Sequence, residues 1–148
     1  MEWMVKTFDE LTTGELYSIL QERVDVFVVE QKCIYRELDG FDQASYHLYA
    51  SNQNEIIAYA RILFPGTAYK ELSVGRVLVK EPYRGNGLAT ELVTRALDFI
   101  RTELKEKVVK LQAQEYLLPF YASFGFTAVS EVYLDEGIPH ADMILEVK

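Results

Sequence analysis

One cysteine, Cys33, stands in the 148 residues of this chain. No intramolecular disulfide can form, and a reducing, cytoplasmic setting is expected. Histidine is nearly as scarce, with only His47 and His140. Two imidazoles and one thiol are a poor ligand supply for zinc, so no metal is expected. Positive charge is also short: 15 lysines and arginines stand against 23 aspartates and glutamates, for a net charge of -8. Nucleic acids and anionic membranes are held by basic fields, so neither is expected as a partner. No apolar run approaches the ~20 residues of a membrane span. The opening stretch, MEWMVKTFDELTTGE, lacks the basic start and apolar run of a secretory signal. Repeats, low-complexity tracts and linkers are missing as well, so one domain over residues 1–148 is expected.

Apolar side chains, by contrast, make up 49% of the chain, enough for a substantial core. Trp3–Phe8 alternates as a first strand. Thr12 followed three residues later by Glu15 suits a capping box, opening a helix that runs to residue 31. Along it Leu16, Ile19, Leu20, Val24, Phe27 and Val28 share one face. Residues 33–45 read as an acidic loop. Strands follow at 47–51 and 56–63, joined through the turn residues NQN. Another is expected at 72–79, where Gly75 marks a bulge or a close backbone approach. Leu88, Leu92, Ala96, Ile100 and Leu104 step by four, predicting a helix over 87–104. A strand at 108–113, a short helix at 117–125 and strands at 127–134 and 141–147 complete the chain, with His140 after Pro139 in a hairpin turn. The order implies an α/β class (α+β, mixed sheet) with helices on the faces of the sheet.

The stretch EPYRGNGLAT, residues 81–90, joins the end of a strand to the start of a helix. Free N–H groups and the helix dipole favour an anion at such a place. Gly85 and Gly87 permit unusual dihedrals and a close approach, and Arg84 adds a planar cation. The spacing fits neither a Walker loop nor G-x-G-x-x-G, since Thr90 stands where the third glycine belongs. Read by itself, the segment is also compatible with a plain tight turn and a solvated arginine.

The run RGNGLA, 84–89, resembles the Q/R-x-x-G-x-G/A signature of the GNAT superfamily of acyl-CoA-dependent N-acetyltransferases. PFYASFGF, 119–126, is similar to that superfamily's F-Y-x-x-x-G-F segment. The stretches at 26–42, 58–63, 75–79 and 131–143 resemble its ElaA-type branch, so the likeness covers most of the chain. It implies the GNAT fold, a twisted mixed sheet splayed into a V between the strands at 72–79 and 108–113, with acetyl-CoA in the V as co-substrate. On that basis Val77, Leu78 and Val79 would meet the acyl and pantetheine portion. Arg84, Gly85, Asn86, Gly87, Leu88, Ala89 and Thr90 would surround the pyrophosphate. Tyr121, beside the cofactor, would protonate the leaving thiolate.

For a general base the sequence offers Glu30, Glu115 and His140, with water as the alternative. Arg61 and Arg76, set in apolar strands, read either as partners of a substrate carboxylate or as structural ion pairs. Glu37, Asp39 and Asp42 could meet a cationic amine or be a solvated loop. The acidic balance favours amines, either small molecules such as polyamines or exposed protein amines. The expected activity is acetyl-CoA-dependent N-acetyl transfer to an amine. Two alternatives stand beside it: an autoinducer-synthase-like acyltransferase, suggested by RVDVFVVEQ…ELDGFD, and a non-catalytic acyl-CoA-binding module. The sequence leaves oligomeric state open, a homodimer included.

Overall fold

The computed structural model describes residues 1–147. Its strands are β1 (Glu2–Thr7), β2 (Ser45–Asn52), β3 (Glu55–Leu63), β4 (Leu72–Val79), β5 (Val108–Gln114), β6 (Thr127–Ala128), β7 (Tyr133–Asp135) and β8 (Ile138–Glu146). They form one mixed sheet in the order β1-β2-β3-β4-β5-β8-β6, with β7 also paired to β8. The helices are α1 (Thr13–Val24), α2 (Leu88–Phe99) and α3 (Leu118–Ala122). The expected α/β class with a mixed sheet therefore holds. None of the described helices is long and apolar enough to cross a membrane.

Local chemistry accounts for most of these elements. The Thr12 hydroxyl accepts from Glu15 N–H (3.1 Å), and the Glu15 carboxylate accepts from Thr12 N–H (2.8 Å), closing the capping box that opens α1. The β2–β3 turn places Gln53 and Asn54 at φ 51° and 68°, as a tight two-residue hairpin requires. One face of the sheet packs Ile62, Leu72 and Val109 against Leu92, Ala96 and Ile100 of α2 and its extension. The other packs Tyr49, Tyr59 and Leu78 against Ile19 and Val26.

Both long helices change pitch where the sequence predicted unbroken α-helix. α1 continues through Asp25–Glu30, and α2 through Ile100–Leu104, as wider π turns. The strand predicted at 127–134 is broken. Val129 N–H bonds to the Asp142 carbonyl, and the Ser130 hydroxyl accepts from Asp142 N–H. A side chain thus replaces a ladder bond, and residues 129–132 leave the sheet. His140 lies inside β8, opposite Gln114 and Tyr133, and not in a turn. The hairpin turns earlier, at Glu136 and Gly137 (φ 51° and 78°).

Two irregularities shape the centre of the sheet. Between the pairs Tyr59–Leu78 and Arg61–Gly75, β4 spends two residues against one of β3, a bulge at the predicted place. Arg76 takes the left-handed conformation there (φ 50°), while Gly75 does not. Beyond it lies the second irregularity: β4 and β5 pair in parallel only at Leu72–Val109 and Ser73–Lys110.

The fold also carries a pH signature. His47 is fully buried, with Nε2 2.9 Å from the Asp42 carbonyl and Nδ1 2.6 Å from the Tyr59 hydroxyl. A carbonyl only accepts, so Nε2 bears the proton and Nδ1 accepts from Tyr59. Burial outweighs the Asp42 carbonyl and holds the His47 pKa below 6.5. For Glu15, burial pushes upward but is overcome by bonds from Thr12 N–H, Tyr49 and Lys6, which hold it at about 2. Asp39 is likewise raised by burial and brought down to about 2 by Arg61 and Phe41 N–H. A depressed folded pKa means that the unfolded chain takes the proton first, so stability falls as pH drops. The melting temperature is therefore expected to fall in two stages. The first begins below about 6.5, from His47, and the second runs from about 4.5 towards 2, from the carboxylates. Thermal unfolding of wild type and His47→Gln across that range checks this, since only the upper stage should vanish in the variant.

Candidate active site between the splayed strands

Once β4 and β5 part, the edge Val74–Val79 faces the edge Leu111–Gln114 across a cleft of about 750 Å³. Val77, Leu78 and Val79 all line it. Leu78 anchors into the core under α1, and Val79 into the core under α2.

The turn Arg84–Gly87 stands at the mouth. Gly85 and Gly87 have φ 83° and 77°, and a Cβ at either would meet open space, so the backbone angle is what demands glycine. Gly87 is the N-cap of α2 and supplies no side-chain cap. The helical ladder begins with Glu91 N–H on the Gly87 carbonyl, which leaves the N–H groups of Leu88, Ala89 and Thr90 without intrahelical partners. Leu88 is buried in the core, Ala89 and Arg84 line the cleft, and Asn86 and Thr90 are exposed outside it.

Arg84 is already engaged. Its Nε donates to the Val79 carbonyl (2.8 Å), and both terminal nitrogens donate to the carboxylate of Glu30 (2.9 and 3.0 Å). Glu30, a candidate base in the sequence, is thus delivered by the wide turns after α1 to the arginine of the glycine turn. Both side chains are about 40% exposed, so an incoming anion can compete for the arginine.

Tyr121 reaches the cleft from α3, buried and edge-on to Phe120 and Phe126. Burial pushes its pKa up to about 12, which keeps the phenol protonated at neutral pH. His140, half-buried on β8, also lines the cleft. Its Nδ1 lies 2.7 Å from the Ile138 carbonyl and must donate in the neutral ring, leaving the Nε2 lone pair free. Glu115 is exposed in the turn after β5, outside the residues lining the cleft. Of the three candidate bases, Glu30 and His140 line the cleft; the Glu30 carboxylate is held in an ion pair with Arg84, whereas the Nε2 of His140 has no partner among the described residues.

The remaining candidates meet one another. Arg61 donates to both oxygens of Asp39 (2.8 and 2.7 Å) and to Asp42 (3.0 Å). Arg76 donates to Glu37 (2.7 Å) and reaches Asp39 (3.4 Å). The sequence reading missed the residue that ties this group together, Arg23 on α1, which is fully buried and donates to Glu37 (2.8 Å) and Asp42 (2.7 Å). Three guanidiniums thus face three carboxylates, which matches the ion-pair alternative for Arg61 and Arg76 and joins Glu37, Asp39 and Asp42 to it. Asp39, Arg61 and Arg76 still line the cleft, whereas Glu37 and Asp42 lie behind its wall. Tyr35, also unanticipated, donates to Glu37 and lies against the Arg76 guanidinium (5.7 Å). The available clue was Arg23 itself, a charge next to the apolar face of the predicted helix. Among the described residues no His/Cys/Asp/Glu group is arranged to hold a metal ion.

The acetyltransferase (GNAT) domain family matches residues 15–147. The ElaA protein of Escherichia coli is 40% identical over 149 residues, covering 99% of this chain and 97% of the relative. Its crystal structure superposes with a TM-score of 0.91 over 99% of this chain and 100% of ElaA. An acyl-CoA N-acyltransferase from Pseudomonas aeruginosa, 41% identical, gives the same TM-score over 98% of this chain and 99% of that one. The CoA-dependent acyl-homoserine lactone synthase BjaI reaches a TM-score of 0.81 at 17% identity, over 97% of this chain and 82% of the synthase, and shares the fold alone.

Proposed function

From the premise that this chain belongs to the GNAT acetyltransferase family, we propose that it transfers an acetyl group directly from acetyl-CoA to an amine. The observation that carries this reading is the early parting of β4 and β5 beside the Arg84–Gly87 turn. One unpaired strand edge and one helix N-terminus then offer hydrogen-bond donors along a single cleft. The helix end, helped by Arg84, suits the pyrophosphate. The free edge of β4 suits the amides of the pantetheine arm.

In the proposed reaction the amine nitrogen attacks the thioester carbonyl carbon and forms the C–N bond. His140 Nε2 takes the proton that the nitrogen sheds. A backbone N–H in the bulged stretch of β4 donates to the oxygen as negative charge gathers there. Collapse of that intermediate breaks the C–S bond, and Tyr121 gives its proton to the departing sulfur. A phenol near pKa 12 is a weak donor. The same burial penalises a thiolate, however, and so narrows the gap. The cleft lining also holds Asp135 and Glu136, which make no ion pair among the described residues and suit a cationic small-molecule or protein amine.

Calorimetric titration with acetyl-CoA, CoA and S-adenosylmethionine tests the donor site, and thiol release across an amine panel tests the chemistry. Tyr121→Phe is expected to lower kcat by about a hundredfold or more with acetyl-CoA affinity unchanged, as loss of one general acid does. Tight CoA binding without thiol release from any amine would favour a non-catalytic binding module. Binding of S-adenosylmethionine beside acyl-CoA would favour a synthase.

A further inference from the structure

Arg76 is the only residue of β4 in the left-handed region, and it is neither glycine nor asparagine. Such a conformation persists where surroundings over-determine it, and here they are visible. Arg76 Nε donates to Glu37 Oε2 (2.7 Å), and Nη2 donates to the Glu37 carbonyl (3.2 Å). The same two oxygens accept from Arg23, at 2.8 and 3.2 Å. The other carboxylate oxygen of Glu37 accepts from Tyr35. Arg23 is fixed in turn by Asp42, which also accepts from Arg61. One carboxylate therefore grips two guanidiniums, one on α1 and one at the bulge.

We infer that the Arg23–Glu37–Arg76 clamp holds the bulged β4 backbone so that its N–H polarises the thioester carbonyl, making Glu37 and Arg76 positioning residues. The inference rests on the acyl-transfer reading above. A bulge changes the twist of a strand and re-aims the groups that follow it. Those groups, at Val77 and beyond, form the edge that faces the cleft. Glu37 is 4% exposed and lies behind the cleft wall, so it acts through Arg76 and not on a substrate. The cluster around the clamp adds no net charge, since Arg23, Arg61 and Arg76 are balanced by Glu37, Asp39 and Asp42.

The test reads the carbonyl itself. Infrared difference spectra would be taken of acetyl-CoA, isotope-labelled at the thioester carbonyl, bound to wild type, Glu37→Gln and Arg76→Gly without any amine. Glycine adopts φ 50° freely, so Arg76→Gly removes the clamp without demanding a new backbone shape and keeps the test open should Glu37→Gln not fold. In wild type the bound carbonyl band should lie below that of free acetyl-CoA. In the variants it should move back towards the free value. The kcat should drop about tenfold, because a donor is loosened and not deleted, with acetyl-CoA affinity and acceptor KM unchanged. A band that stays at the wild-type position in an Arg76→Gly protein that still binds acetyl-CoA overturns the inference. So does a rise in acceptor KM alone, which would make Arg76 a substrate contact. No bound band in wild type would sink the donor-site reading, and this inference with it.

Discussion

Replacing Gly87 with aspartate is expected to weaken acetyl-CoA binding by two to three orders of magnitude while leaving the protein folded. Three effects separate binding from folding here. Gly87 has φ 77°, and a residue with a Cβ pays about 1–2 kcal/mol there, a cost that a whole domain absorbs. The added atom meets open space, so no packing is disturbed. Aspartate also brings a carboxylate to a helix N-terminus, where the dipole and the N–H groups that lack intrahelical partners favour negative charge. Those are the groups proposed to hold the pyrophosphate, and the new carboxylate would both occupy them and repel the phosphates. A loss of about 3–4 kcal/mol corresponds to the stated range. Calorimetry together with thermal unfolding checks both halves. Wild-type affinity in a well-folded variant would remove the anion cradle from the proposed mechanism.

The second large effect is on stability. Arg23→Ala is expected to destabilise the fold by about 3–5 kcal/mol, the range seen when one partner of a buried ion pair is deleted. At roughly 3 °C per kcal/mol for a domain of this size, the melting temperature should drop by about 10 °C or more. Burial disfavours the Arg23 cation, yet Tyr59, Asp42 and Glu37 outweigh it and push its pKa upward. Without the guanidinium, Glu37 and Asp42 would share one buried region with fewer compensating donors. Arg23→Ala combined with Glu37→Gln should therefore cost less than the two single changes added together. A melting temperature within a degree or two of wild type would mean that Arg61 and Arg76 suffice for all three carboxylates.

Features with local causes were legible in the sequence. The Thr12–Glu15 box, the turn through Gln53 and Asn54, and the glycine-rich start of α2 each depend on residues a few positions apart. The bulge at Gly75 was legible as a place, though not as a conformation, because the next residue takes the positive φ. What stayed hidden is long-range. Arg23 meets Glu37 from 14 residues away, Arg76 meets it from 39, and Arg84 meets Glu30 from 54. Which charge meets which could not be read, because each partner lies on another element. His140 was misplaced for a simpler reason. Pro139 suggested a turn, but Glu136 and Gly137 had already made it, and proline is tolerated in a short antiparallel pair.

A sheet usually gains by lengthening its ladders, yet this one stops after two paired residues at its centre. A sequence selected for stability alone would straighten the backbone at Arg76 and zip Val74–Val79 against Leu111–Gln114. The result would be a tougher protein with no cleft. Selection for heat resistance and selection for turnover thus pull in opposite directions at this seam, and stabilising substitutions sought elsewhere in the chain should leave it unmended.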